Sequence, residues 1–185
     1  MEYTFDDKVV AESVIKKSRF IAVGFFVASE TDARDKIATL KKQFFDARHI
    51  AYAYRIDDGQ MFQKSSDDGE PSGTAGKPIL NFMVKENIVN AIILVVRYFG
   101  GVKLGAGGLT RAYSGTAVLL KPHLVAQLTA VRLTCSLADA SRVLKLLDSS
   151  GIAYTKTFGA ECTIVARTAD VSALRALLPL SVRID

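Results

Sequence analysis

The stretch NAIILVVRYFGGVKLGAGGLTRAYSGTAVLL, residues 90–120, decides how the rest of the chain is read. Asn90 to Tyr98 is almost wholly apolar, the pattern of a strand buried on both faces at the centre of a sheet. Phe99 to Gly107 is a glycine-rich loop, and Gly108 to Leu120 reads as a helix that stops before Pro122. Gly108, Ala112, Gly115 and Thr116 fall on one helical face as a ridge of small residues, which predicts close approach to a neighbouring element. Arg111, Ser114 and Lys121 project from another face.

A buried strand that runs through glycines into a helix start is a natural anion site. Free amide groups and the positive end of the helix point outward there, and glycine lets the backbone come close to a ligand. The residues that would form it are Arg97, Tyr98, Gly100, Gly101, Lys103, Gly105, Gly107, Gly108, Arg111 and Tyr113. The spacing fits neither a Walker A loop nor the dinucleotide fingerprint. The competing reading is that the glycines only shape a tight strand-to-helix turn.

Upstream, Val9–Ile15 and Arg19–Val27 are predicted strands joined at Lys16-Lys17-Ser18. A helix follows, capped by Thr31 or Asp32, with Ala33, Ile37, Leu40, Phe44 and Phe45 at helical spacing. From His49 to Ile56 the chain alternates. Ile50, Tyr52, Tyr54 and Ile56 should face the core, while His49, Ala51, Ala53 and Arg55 leave room for a helix of the same chain or for a partner. Asp57-Asp58-Gly59 signals a hairpin into a strand at Gln60–Lys64, and a helix is predicted over Thr74–Val84.

After Val125 the character changes. Thr129–Leu137 reads as a strand, Asp139–Ser150 as a helix capped by Asp139, and Ile152–Phe158 with Glu161–Thr168 as a hairpin. Asp170 caps a last helix through Leu178, and only Ser181–Ile184 remains for a closing strand, which is short or incomplete. This βαββα(β) order is ferredoxin-like. The chain is therefore expected to be α+β, with domains over 1–125 and 126–185.

The net charge of +5 is mild, but residues 87–138 contain no Asp or Glu while holding Arg97, Lys103, Arg111, Lys121, His123 and Arg132. Such a segment attracts phosphates or acidic protein surfaces if it faces outward. If it faces inward, it pairs with the acidic group just upstream, Asp57, Asp58, Asp67, Asp68 and Glu70. The first residues lack the basic and apolar parts of a secretion signal, and the apolar run Ile92–Val96 is too short to span a bilayer. Cys135 and Cys162 have no CxxC spacing and read as buried thiols of a reducing compartment. A cytoplasmic protein is expected.

Asp67, Asp68 and Glu70 could supply paired carboxylates, but their spacing is not that of a calcium loop, and His49 and His123 cannot form a zinc site alone. No metal or cofactor is expected. His49 reads as a structural residue at a strand start.

The run SSDDGEPSGTAGKP at 65–78, the run VVRYFGGVKLGAGGL at 95–109 with Arg111-Ala112-Tyr113, and the blocks Lys17-Ser18-Arg19-Phe20 and His49–Tyr54 resemble the N-terminal domain signature of the IMPACT family, in its bacterial YigZ-like branch. The resemblance covers roughly residues 1 to 125 and implies a fold like the second domain of ribosomal protein S5. It further implies a C-terminal domain like the last domain of elongation factor G. Eukaryotic members regulate translation by competing for the activator of an initiation-factor kinase, and no settled catalytic set belongs to the family. The expected function is thus non-catalytic binding of RNA or ribosome-associated components through the basic Gly-rich face, with Tyr98 or Tyr113 available for stacking. The alternative is an acidic protein partner. A third reading is an enzyme on a phosphorylated small molecule, with the anion loop as phosphate cradle and Asp68 or Glu70 as base, which needs a closed pocket joining Asp68, His49 and Lys103.

Overall fold

In the computed structural model, which describes residues 1–184, the elements are β1 (Tyr3–Thr4), β2 (Val9–Ile15), β3 (Ser18–Phe26), α1 (Glu30–Gln43), β4 (His49–Asp57), β5 (Met61–Ser66), α2 (Gly76–Lys85), β6 (Ala91–Tyr98) and α3 (Ala106–Val118). A 3₁₀ turn at Lys121–His123 leads to β7 (Val125–Ala126), β8 (Thr129–Cys135), α4 (Leu137–Ser149), β9 (Tyr154–Phe158), β10 (Cys162–Thr168), α5 (Val171–Leu177) and β11 (Arg183–Ile184). The protein is a mixed α+β chain that divides into two units, Glu2–Val125 and the part from Ala126 onward. Among the described residues no helix is long and apolar enough to cross a membrane.

The first unit is built on a five-stranded sheet of order β2-β3-β6-β4-β5, antiparallel throughout. Strand β6 sits at its centre and is buried along almost its whole length, which is why its sequence is nearly all apolar. One sheet face, including Phe20, Ala51, Ala53, Ile93 and Val95, packs with Ile79, Met83, Ala112 and Tyr113 of α2 and α3. The other, with Ile21, Ile50, Tyr54, Leu94 and Val96, packs on Ala33 and Leu40 of α1. The small face of β4 is therefore filled from within the chain, by α2. Lys16 and Lys17 both lie at positive φ, 45° and 67°, matching the primed turn that a two-residue hairpin prefers.

Three local expectations shift. The cap of α1 is Ser29, whose Oγ accepts the Asp32 amide at 3.1 Å, while Asp32 turns back to accept the Ala28 amide. The cap of α4 is Ser136 rather than Asp139. The ridge on α3 is broken. Ala112 and Thr116 are buried, with Thr116 Oγ1 2.7 Å from Ser13 Oγ, but Gly115 is exposed and a Cβ there would touch nothing.

The second unit has a four-stranded sheet of order β11-β8-β10-β9, again antiparallel. Val143 and Leu147 of α4 and Leu174 of α5 join Leu133, Cys135, Cys162 and Ile164 in one core on one sheet face. Asp170 caps α5 as its sequence indicates, accepting the Ala173 amide at 2.9 Å. Cys135 and Cys162 are free, buried, and opposite one another in the β8–β10 register.

Candidate anion and nucleic-acid interface

The end of β6, the glycine loop and the start of α3 meet the acidic loop 67–73 and the start of β4. In the β4–β6 register His49 lies opposite Arg97. Together these segments form a cleft of about 470 Å³ lined by Arg48, His49, Glu70, Arg97, Phe99 and Lys103, with Gly105 and Ala106 of the α3 start.

Two glycines make the approach possible. Gly105 precedes α3 at φ 70°, and the helix has neither a side-chain cap nor an acid in its first turn, so its leading amides are left for a ligand or solvent. A Cβ on Gly100 would overlap the Lys17 carbonyl group, so only glycine lets the loop lie against the β2–β3 turn, where the Gly100 amide donates to Ser18 Oγ at 3.2 Å. Gly101 also sits at positive φ. A Cβ at Gly107 would be in ordinary contact with Arg111 Nη1 at 3.6 Å, so this exposed guanidinium folds back over the first turn. Gly108 is packed against the Leu104 side chain.

Arg97 does not point outward. Its side chain is 7% exposed, and Nη1 meets Glu70 Oε1 at 2.6 Å. Glu70 is 4% exposed, and the same oxygen accepts the Tyr113 hydroxyl at 2.8 Å. The guanidinium lies 5.5 Å from the ring centres of both Phe20 and Phe99. Its Nε is buried without a hydrogen-bond partner among the described residues. The physical reason is the strand itself: a charge on the central, covered strand has to bring its own counter-charge under cover. Tyr113 is likewise fully buried, so it cannot stack on a ligand. Burial, then the charge and hydrogen bond of Glu70, push its phenol far above the ordinary value. Tyr98 is half-buried and its hydroxyl donates to Asp46 at 2.8 Å. Of the three cations expected to stand outward together, Lys103 and Arg111 are exposed and Arg97 is neutralised from within.

The acidic loop is occupied with folding. Asp67 accepts the amides of Gly73, Ala75 and Gly76 at 2.8–2.9 Å and so holds the start of α2, which lacks a cap of its own. Burial alone would raise the Asp67 pKa, but the three amide bonds outweigh it and hold the carboxyl below its ordinary value. The Asp68 carboxylate accepts the Ile50 amide and pairs with Lys41, both at 2.7 Å, while the Asp68 carbonyl accepts His49 Nδ1–H at 2.8 Å. Asp68 lines a different hollow, beside Lys41 and Tyr52, so among the described residues its carboxylate does not line the cleft that holds His49 and Lys103. Glu70 does share the cleft with those two residues, but as the partner of Arg97. Among the described residues no three His, Cys, Asp or Glu side chains are placed to hold a metal.

The cleft also brings in Arg48 and Phe99, which residue type alone did not single out. Phe99 is 47% exposed, an aromatic ring left at the rim beside Lys103. Its position just past an apolar strand, at the first residue of the glycine loop, is the signal that could have marked it.

Residues 16–120 match the Impact N-terminal domain, and the chain belongs to the IMPACT family. It is 50% identical over 102 residues to the IMPACT family member YvyE of Bacillus subtilis, covering 55% of this chain and 47% of that protein. It is 40% identical over 103 residues to the IMPACT family member YigZ of Escherichia coli, covering 55% of this chain and 50% of that protein. The matches thus span about half the length of these curated relatives. A solved structure of a hypothetical protein aligns over 100% of this chain and 97% of its own, at 29% identity and a TM-score of 0.64.

Proposed function

We propose that this chain is a non-catalytic regulatory protein that binds RNA or ribosome-associated components through the cleft and the adjoining glycine-rich face. One observation carries the reading: the uncapped start of α3 opens into the same cleft as Lys103, Arg48 and the exposed ring of Phe99. Amides and a lysine suit a phosphate, and a neighbouring aromatic suits an unstacked base. Phe99, and not the buried Tyr113 or half-buried Tyr98, therefore takes the stacking role. Regulation of translation is the activity the family resemblance implies, and a cytoplasmic location goes with it.

Domains over 1–125 and 126–185 are part of the same reading, the first like domain 2 of ribosomal protein S5 and the second ferredoxin-like. Support for the second comes from its β-α-β-β-α-β order with β8 and β10 central and β11 and β9 at the edges, the arrangement a split βαβ unit produces.

The test is a filter-binding titration against structured RNA at two salt concentrations. The wild type should bind, and K103A/R111A should bind about tenfold more weakly, with a salt slope smaller by about 2. No binding by the wild type at low salt would sink the reading. Capture of a protein partner that survives nuclease and depends on Lys103 would replace it with an acidic protein partner at the same cleft.

A further inference from the structure

The sheet of the second unit carries α4 and α5 on one face, and among the described residues no helix of that unit packs on the other. Its outward side chains fall into a pattern set by register. Thr134, Thr163 and Thr157 stand in one row across β8, β10 and β9. Arg183 on β11 extends that row, because it pairs with Thr134. One step along β8, Arg132 lies opposite Val165, and Arg167 lies opposite Ala130. Arg183, Arg132 and Arg167 therefore cross three adjacent strands on a diagonal, each the i, j±2 neighbour of the next, at about 7–8 Å spacing. All three are exposed.

Among the described residues Glu161 pairs with Arg183 at 2.6 Å. Arg132 and Arg167 make no ion pair among the described residues. The face thus offers guanidinium and hydroxyl donors in a regular array, and among the described residues its one ion-paired carboxylate is Glu161. A protein partner needs a buried apolar or aromatic anchor at the centre of its interface. Val165 is the one large apolar side chain in these rows, which does not provide one. A phosphodiester backbone needs what is there, spaced cations with hydroxyls between them.

We propose that this open sheet face is a second contact surface for RNA, gripping the sugar-phosphate backbone without regard to sequence. It has no exposed aromatic among these rows on which a base could stack, so it supplies affinity and leaves base contacts to the Phe99 cleft. The proposal rests on the RNA-binding reading for the kind of partner, and on separate residues for its site.

The experiment titrates the full chain with oligouridylate and oligoadenylate of equal length over a series of salt concentrations. Wild type, R132A/R167A and K103A/R111A are compared. Arg132 and Arg167 are exposed, so their double variant should melt with the wild type, which thermal unfolding checks. R132A/R167A should lose about tenfold in affinity for both oligomers alike, and its salt slope should fall by about 1.4, from about 0.7 for each lost phosphate contact to a single strand. An unchanged affinity and slope in R132A/R167A, with K103A/R111A weakened, overturns the sheet face and leaves the cleft reading intact. A loss confined to one oligomer overturns the sequence-independent grip. A wild type that binds neither oligomer at low salt overturns both readings.

Discussion

Arg97 and Glu70, 27 residues apart in the chain, meet at 2.6 Å with hardly any solvent on either side chain. Removing one partner leaves the other buried and uncompensated. E70A and R97A should each destabilise the fold by about 3–5 kcal/mol, whereas the apolar double variant R97M/E70L should recover most of that loss. Urea unfolding of the three variants checks this. A double variant as unstable as the singles would contradict it.

Asp67 should show a pH signature. Its folded-state pKa lies below the unfolded one, so its contribution is complete above about pH 4, the ordinary aspartate range, and disappears as pH falls through the folded-state value. D67N should cost roughly 2 kcal/mol at pH 7, as expected for losing charge-assisted bonds at a helix start. The gap between D67N and wild type should narrow as the buffer is taken from pH 7 to pH 3. A constant gap would mean that the carboxylate charge contributes nothing.

G100A should cost about 1–3 kcal/mol through overpacking, because the added methyl meets the Lys17 backbone and not a side chain able to swing away. It should also weaken RNA binding, since the loop that carries Lys103 would have to lift off the β2–β3 turn. Chemical denaturation and the binding titration can be read on the same preparation. G101A, at an open position, should pack without a clash and suffer only from its positive φ.

F99A separates stacking from charge. The ring is about half exposed, so the main cost should be in binding, about 1–3 kcal/mol for a stacked base, with the salt slope left as in the wild type. K103A should do the reverse, lowering the slope by about 1. If F99A alters the slope and leaves the low-salt affinity untouched, the stacking role is wrong.

Much of this architecture is legible in the residues. The run Ala91–Val96, short, apolar and rich in β-branched residues, reads as a covered strand, and the glycines after it mark the loop and helix start that line the cleft. Helix caps are less legible, because Ser29 and Asp32, like Ser136 and Asp139, are both good cap types, and only the backbone geometry chooses between them. The fate of Arg97 was not legible. Its neighbours along the strand show that it is buried, but its counter-charge comes from a loop that other pairings bring alongside. The same holds for Arg48 and Phe99, which become part of a site only when three separate segments converge.

The position of β6 in its sheet bears on synthesis. It pairs with β3 on one side and β4 on the other, and those two strands do not pair with each other. The strand that joins the two hairpin halves is thus the last of the five to be made. Until Tyr98 has left the ribosome's exit tunnel, β3 and β4 each have an unpaired edge, the condition under which strands find wrong partners. A nascent chain stalled before residue 91 should stay protease-sensitive and hold chaperones, and one stalled well beyond the end of α3 should lock into the folded first unit in a single step.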